Sequence, residues 1–246
     1  MNKTGIPWAD ITWNPIEGCS HASEGCDNCY AAGMAHRFHR PWGKPVFHPE
    51  RVNEPRTLPL PGQRDRRGRL RTYRRLRIFC CSTSDLGHQE VKQEWRNEIF
   101  GIVSALSCFH TFIFLTKRPE VFVEALWEWK RSHGVCGQWD HLWVGFTAEN
   151  QERMTERAPY FEKLTWCTRI VSVEPALGPV VIPPFIDWAI WGPETGSRAR
   201  PADPAWAAQA WLHCQNCETP IPFFDKRDLT DPDFICREYP KMQESY

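Results

Sequence analysis

Thr111-Phe-Ile-Phe-Leu115 is a short apolar run, and Thr116-Lys117-Arg118-Pro119 follows it at once. Beyond it, Phe122, Leu126 and Trp129 recur at helical spacing. Pro119 suits the first turn of a helix, where a missing N–H costs nothing. The stretch therefore reads as one strand and one helix, with polar residues at the join. Similar apolar runs stand at Arg77–Ser82, Leu142–Phe146, Ile170–Val173, Trp188–Trp191 and Ile221–Phe224. Their near-continuous hydrophobicity suits strands covered on both faces. Helices fit between them. Val91, Trp95, Ile99, Ile102 and Leu106 share one helical face, and Asp203 before Pro204 reads as an N-cap with a first-turn proline. Tyr30, Met34 and Phe38 mark a further helix near the start. This alternation predicts an α/β fold of about six or seven parallel strands, a partial TIM-like barrel, as a single domain over 1–246.

One segment interrupts the pattern. Between Arg51 and Arg77 stand ten arginines against Glu54 and Asp65, with Pro55, Pro59, Pro61, Gly62 and Gly68 among them. The prolines and glycines predict a loop insertion at about 51–76. It is either a solvated excursion or an arm that contacts phosphates, since arginine forks suit phosphate.

The whole chain carries no net charge, so the global balance favours neither nucleic acid nor membrane. No apolar run approaches the ~20 residues that a membrane helix needs, and the N-terminus lacks the apolar core of a secretory signal. The expected compartment is the cytoplasm. Eleven cysteines is an odd number in a chain of 28.7 kDa, which argues against a disulfide scaffold and for thiols that bind metal or fill core space. Cys80, Cys81, Cys108 and Cys167 lie in or beside apolar runs and read as small hydrophobes. Cys214, Cys217 and Cys236 lack an evident fourth ligand, and a structural role is the simpler reading.

Chemistry concentrates at Thr12-Trp-Asn-Pro-Ile-Glu-Gly-Cys19-Ser-His-Ala-Ser-Glu-Gly-Cys26-Asp-Asn-Cys29-Tyr30. Cys19, Cys26 and Cys29 follow a short extended segment and precede a helix expected to start near Cys26. Gly18 and Gly25 allow tight folding, so three thiolates can share one centre. Three thiolates suit a 4Fe–4S cluster with one iron left open, and a helix N-terminus favours the anionic cluster. Spacing alone leaves zinc as the competitor, with His21, His36 or His39 as a fourth ligand.

The landmarks TWNPIEGC, GCDNCYA, FCCSTSDL, LTKRPE, GFTAENQER, VSVEPALGP, WGPETGSRARP and PFFDK resemble an uncharacterised, phage-associated family with a three-cysteine motif that is likened to radical SAM enzymes. The family is distantly similar to spore photoproduct lyase. The resemblance covers most of the chain. It implies a partial β/α barrel with a 4Fe–4S cluster at its C-terminal mouth, S-adenosylmethionine as cofactor, and an electron donor such as flavodoxin or ferredoxin. Two features depart from the radical SAM pattern: the first cysteine gap is six residues rather than three, and no Gly-Gly-Glu follows the second strand.

In β/α barrels the reactive groups stand at the C-terminal strand ends. Reading each strand to its end yields Asp85, Lys117, Arg118, Thr147, Glu149, Ser172, Glu174, Glu194, Arg198, Arg200, Asp225 and Lys226. On the radical SAM reading, Lys117, Arg118 and Glu174 are the expected catalytic residues. Tyr30, Ser172, Glu174 and Glu194 are expected at the cofactor, and Asp85, Arg198, Arg200 and Lys226 at an anionic substrate, a nucleic acid or nucleotide. Two alternatives stand beside it: a zinc-stabilised nucleic-acid-binding phage protein without turnover, and a degenerate barrel that keeps its cluster only for folding.

Overall fold

The computed structural model describes residues 1–227 and 236–240. Ten strands are present among the described residues: β1 Asn2–Lys3, β2 Ile11–Trp13, β3 Ile16–Glu17, β4 Val46–Phe47, β5 Arg77–Cys80, β6 Thr111–Thr116, β7 Trp139–Thr147, β8 Cys167–Val173, β9 Trp188–Trp191 and β10 Phe223–Asp225. Seven α-helices accompany them: α1 Tyr30–Arg37, α2 Pro49–Val52, α3 Gln93–Leu106, α4 Pro119–Ser132, α5 Gln151–Arg157, α6 Pro159–Glu162 and α7 Pro204–Gln215. Eight strands form one sheet in the order β1-β2-β5-β6-β7-β8-β9-β10, and β3 pairs with β4 apart from it. Every pairing in the large sheet is parallel except β1 with β2. The fold is therefore mixed α/β with a mostly parallel sheet. All six expected strands are in it, and the extended segment ahead of the cysteines is β2.

Strand alternation sorts the core into two layers. Ile78, Cys80, Phe112, Phe114, Val144, Val171, Ala189 and Phe223 face the layer that also holds Ile99, Phe100, Phe122, Leu126, Ala207 and Ala210 from the helices. Ile113, Trp143, Ile170, Trp188, Ile190 and Phe224 face the other way, against Trp8, with Phe79, Leu115 and Tyr239 packed beside them. Burying each such side chain contributes about 1.5–3 kcal/mol, so both layers help set the register. Asp203 caps α7 by accepting the Ala205 N–H at 2.8 Å, as its place before Pro204 predicts.

Three expectations are revised. A single 3-10 turn, Glu24–Cys26, occupies the place of the early helix start, and α1 begins only at Tyr30. Cys108 is exposed rather than packed. The basic segment holds α2, a 3-10 turn at Glu54–Thr57 and an antiparallel bridge between Arg64 and Leu70, and it leads into the N-terminal end of β5. Several of its arginines are engaged within the fold. Arg74 and Arg77 pair with Asp10, Arg69 pairs with Asp65, and Arg75 donates to the carbonyls of Ser107 and Cys108.

Candidate functional site

Following the inner alternation past each strand's C-terminal end leads into a cavity of about 670 Å³. Phe79 and Cys81, Leu115 and Lys117, Thr147, Ser172 and Glu174, then Glu194 and Lys226 continue that parity and line it. Cys19, Cys26, Cys29, Tyr30, Asp85 and Arg118 line the same space. The cysteine loop thus lies across the C-terminal ends of the parallel strands. Of the expected site residues, only Arg198 and Arg200 do not line the cavity, and no residue of 51–76 does. The basic segment thus contributes no residue to the cavity, and its later part lies at the N-terminal ends of β2 and β5.

The loop is anchored at three points. At Cys19, Gly18 adopts φ +88°, and a side chain there would meet the Lys44 carbonyl oxygen at 2.2 Å. Arg118 reaches across to this end of the loop. Its Nη2 donates to Ser20 O at 2.9 Å and Ser20 Oγ at 3.1 Å, while Nη1 stands 3.1 Å from Asp85 Oδ2 and 3.7 Å from Cys19 Sγ. Asp85 is buried and fully engaged, accepting from Thr116 Oγ1 at 2.6 Å and from the N–H groups of Gly87 and Lys117. It orients Arg118 and offers no free oxygen to a substrate. Burial pushes the Cys19 thiol up to about 11; Asp85 adds to the rise, and Arg118 opposes it.

The second anchor is Glu149, which is 0% exposed. It accepts from Ser23 Oγ at 2.6 Å and Arg157 Nη1 at 3.0 Å, and it pairs with Lys117 Nζ. A side chain on Gly25 would stand 2.3 Å from its Oε1, so only glycine lets the loop reach this carboxylate. Burial disfavours the charge, yet Lys117 and Arg157 outweigh it and hold the carboxyl below its usual range. Lys117, expected to act on substrate, is thus committed to the loop's foundation.

The third anchor is Glu194 with Arg200. Arg200 donates to both Glu194 oxygens, at 2.9 Å from Nε and 2.6 Å from Nη2. It also donates to Glu24 O at 2.8 Å and Asp27 Oδ2 at 3.2 Å. Asn28 Nδ2 donates to Glu194 Oε2 at 3.0 Å. The Arg200 hydrogen bonds, against an opposing burial effect, bring the Glu194 carboxyl down to about 2. Arg200 therefore clamps the Cys26–Cys29 turn rather than meeting a substrate. Glu194, expected to hold a ligand ammonium, already has its cation. Arg198 is exposed near the mouth, where its carbonyl accepts from Asn28.

Glu174 and Lys226 remain at the cavity wall with fewer ties. Lys226 Nζ lies 2.6 Å from Glu174 Oε1, and Ser172 Oγ donates to Oε2 at 3.0 Å. Tyr30 donates its hydroxyl to Ser82 O, and burial of the phenol, opposed by that bond, pushes its pKa up to about 12.

Cys19, Cys26 and Cys29 are free thiols, each half-buried. Among the described residues, no three His, Cys, Asp or Glu side chains gather for one metal ion. His21 pairs with Asp27 at 2.8 Å, and the exposed His36 and His39 lie outside the cavity lining. Cys214 is buried, with Cys217 and Cys236 half-buried against the same core layer. No helix is long and apolar enough to cross a membrane among the described residues.

Sequence reasoning missed the anchoring roles of Glu149, Ser23 and Asn28. The only signal was Gly25, whose need for a bare Cα depends on a carboxylate 124 positions away and invisible to local patterns. Compared with family models, residues 3–230 match one described as "Protein of unknown function (DUF5131)". No curated protein and no solved structure matches the chain.

Proposed function

We propose that this chain, which belongs to the DUF5131 family of proteins of unknown function, is a radical S-adenosylmethionine enzyme with a 4Fe–4S cluster on Cys19, Cys26 and Cys29. The observation that carries this reading is that three free thiols share one cavity at the C-terminal ends of parallel strands, where His21, which also lines it, is paired with Asp27. Soft thiolates suit iron–sulfur clusters. Because cluster thiolates bind different irons, they need not converge as the ligands of a single ion do. Held there by the three thiolates, a reduced cluster would supply the electron for cleaving a carbon–sulfur bond of S-adenosylmethionine and so for radical hydrogen abstraction from a substrate.

A partial β/α barrel of the radical SAM type is the finer reading of the fold. Two features support it. Sheet neighbours follow chain order, without the reversal that marks a doubly wound sheet. The helices α3, α4, α5 and α7 pack on one sheet face only, leaving the other to the Trp8 layer.

The chain's own residues do the rest. Arg118, Glu149 and the Glu194–Arg200 pair hold the cysteine loop in place, so Lys117 and Arg118 act as positioning residues. Glu174, paired only with Lys226 and Ser172, is the carboxylate best disposed to accept the cofactor's ammonium. Ser172 can exchange its bond for a ribose hydroxyl. Tyr30 forms the wall beside Cys29, and its tie to Ser82 fixes the ring. Trp8, Phe79 and Leu115 make the floor apolar, which excludes water that would quench reactive intermediates. For the substrate, a nucleic acid or nucleotide remains the proposal, with Arg198 and Lys226 as its phosphate partners.

Anaerobic reconstitution followed by an assay for 5′-deoxyadenosine tests the reading. The expected result is about four irons and four sulfides per chain, with product formed by wild type and absent in Cys26→Ala. Stoichiometric zinc with no binding of S-adenosylmethionine overturns it in favour of the zinc-stabilised binding protein. A full cluster with no cleavage points instead to a cluster kept for folding.

A further inference from the structure

The basic segment gives nothing to the cavity, yet part of it is built as a finger. From Arg56 to Arg75 it holds eight arginines and one acidic residue, Asp65. Arg64 and Leu70 pair across an antiparallel bridge, and the N–H groups of Asp65 and Arg71 donate to Arg69 O and Gln63 O, each at 2.8 Å. Asp65-Arg66-Arg67-Gly68 closes the turn, with Gly68 at φ +76° donating to Asp65 O at 3.0 Å. Asp65 Oδ1 accepts the N–H groups of Arg67 and Arg69 at 2.8 and 3.0 Å, the local bonding that favours Asp in turns. Its Oδ2 pairs with the Arg69 guanidinium. The one acid of the finger is spent on the turn itself.

Pairing also sorts the side chains. Gln63, Asp65, Arg69 and Arg71 share one face, where Gln63 Oε1 accepts from Arg71 Nη1 at 3.0 Å and Asp65 meets Arg69. Arg64 and Leu70 take the other face, with Arg66 and Arg67 at the tip. Both tip arginines are exposed, and among the described residues neither guanidinium has a hydrogen-bond or ion-pair partner. Arg64 donates to Gly68 O at 2.6 Å. Arg56, exposed on the adjoining 3-10 turn, is held by Asn53 Oδ1, and Arg74 stays 68% exposed beside Asp10. Glu54 and Asp10, the other carboxylates tied to this segment, are taken by the N-terminal ammonium and by Arg74 with Arg77. An ordered ribbon thus turns the charge of Arg64, Arg66 and Arg67 outward.

We propose that this finger docks the chain on double-stranded DNA, at a surface separate from the cavity and independent of the reaction there. The make-up of the finger selects among polyanions. A protein partner needs apolar contacts at the core of its interface, whereas the only apolar side chain between Gln63 and Arg71 is Leu70. Single strands are held by stacking bases on aromatic rings, and no Trp, Tyr or Phe occurs between Arg51 and Thr72. Duplex DNA asks for what is present. Guanidinium forks suit its phosphates, and a two-stranded ribbon is a shape that the major groove of B-form DNA admits. Arg66 and Arg67 lead that contact, because their guanidinium groups give up no bond within the chain to make it.

The test is fluorescence anisotropy of the full chain with a labelled DNA duplex of mixed sequence. Wild type should bind, and its affinity should fall steeply as salt rises, since phosphate contacts release counterions. Arg66→Glu/Arg67→Glu should weaken binding about tenfold or more at low salt and lower the salt dependence by about two phosphate contacts. Arg131→Glu/Lys163→Glu makes the same change of charge at exposed positions in α4 and just past α6, and it should bind as wild type does. Thermal melts of both variants should match wild type, because these side chains hold no other element in place. Absence of duplex binding by wild type, equal affinity in wild type and the finger variant, or equal loss in both variants overturns the proposal. Tighter binding of a single strand, a polyglutamate peptide or phosphatidylserine vesicles, lost with Arg66 and Arg67, gives the finger to that partner and overturns it too. No arm of the test needs iron, so failure here leaves the radical reading untouched, and failure of that reading leaves the finger in place.

Discussion

Replacing Gly25 with alanine isolates the contact on which the cysteine loop depends. The new methyl carbon would stand 2.3 Å from Glu149 Oε1, 2.5 Å from its Cγ and 2.7 Å from its Cδ. Carbon contacts are comfortable at about 3.5–4.0 Å, so the loop and the carboxylate must part by roughly 1 Å. Two relaxations compete. Moving Glu149 loosens its buried pairs with Lys117 and Arg157, and breaking such a pair costs about 3–5 kcal/mol. Moving the loop instead sacrifices the bond from Ser23 Oγ, and a hydrogen bond to a charged group is worth about 1.5–3 kcal/mol. The loop should yield. The expected outcome for Gly25→Ala is a stability loss of about 2 kcal/mol by urea denaturation, together with loss of most of the iron bound on anaerobic reconstitution. Adding Glu149→Asp withdraws the carboxylate by one methylene, and the double variant should be more stable than the sum of its parts by about 0.5–3 kcal/mol. If Gly25→Ala keeps wild-type stability and full iron content, Glu149 does not set the position of the cysteine loop.

Other outcomes follow from the same geometry. Glu149→Gln should cost about 3–5 kcal/mol, because Lys117 and Arg157 lose the charge that compensates them. The folded carboxyl lies below its ordinary value of 4.5, so its contribution is present above that value and is lost as pH falls through the folded pKa; the gap between wild type and variant in urea melts should therefore narrow in acid. Arg200→Ala should release Glu194 from its value of about 2 and free the Cys26–Cys29 turn, seen as faster alkylation of these thiols in the metal-free chain. Arg118→Lys should fail to restore the iron content lost in Arg118→Leu, since a single ammonium cannot reach Ser20 and Asp85 together as the guanidinium fork does; equal iron retention by the two variants would contradict that.

Local pattern determined the six parallel strands β5 to β10 and the helices α1, α3, α4 and α7. Apolar runs of β-length, separated by helical periodicities with Pro119 and Asp203–Pro204 as start signals, carry their own structure because propensity and burial agree there. The same alternation, continued past each strand end, also located Lys117, Thr147, Ser172, Glu174 and Lys226 at one mouth, because side-chain parity in a strand does not depend on its neighbours. What those groups do there was a matter for the tertiary structure alone. Whether Asp85, Lys117, Glu194 and Arg200 remain free or are spent on a partner depends on other elements of the fold: Asp85 meets Arg118, Lys117 meets Glu149, and Arg200 reaches back to Glu24. The orientation of α1 is likewise invisible to periodicity, which gives the spacing of Tyr30, Met34 and Phe38 but not the side of the helix that meets the core. Only packing, in which Ala31 and Ala35 take the interior, decides that.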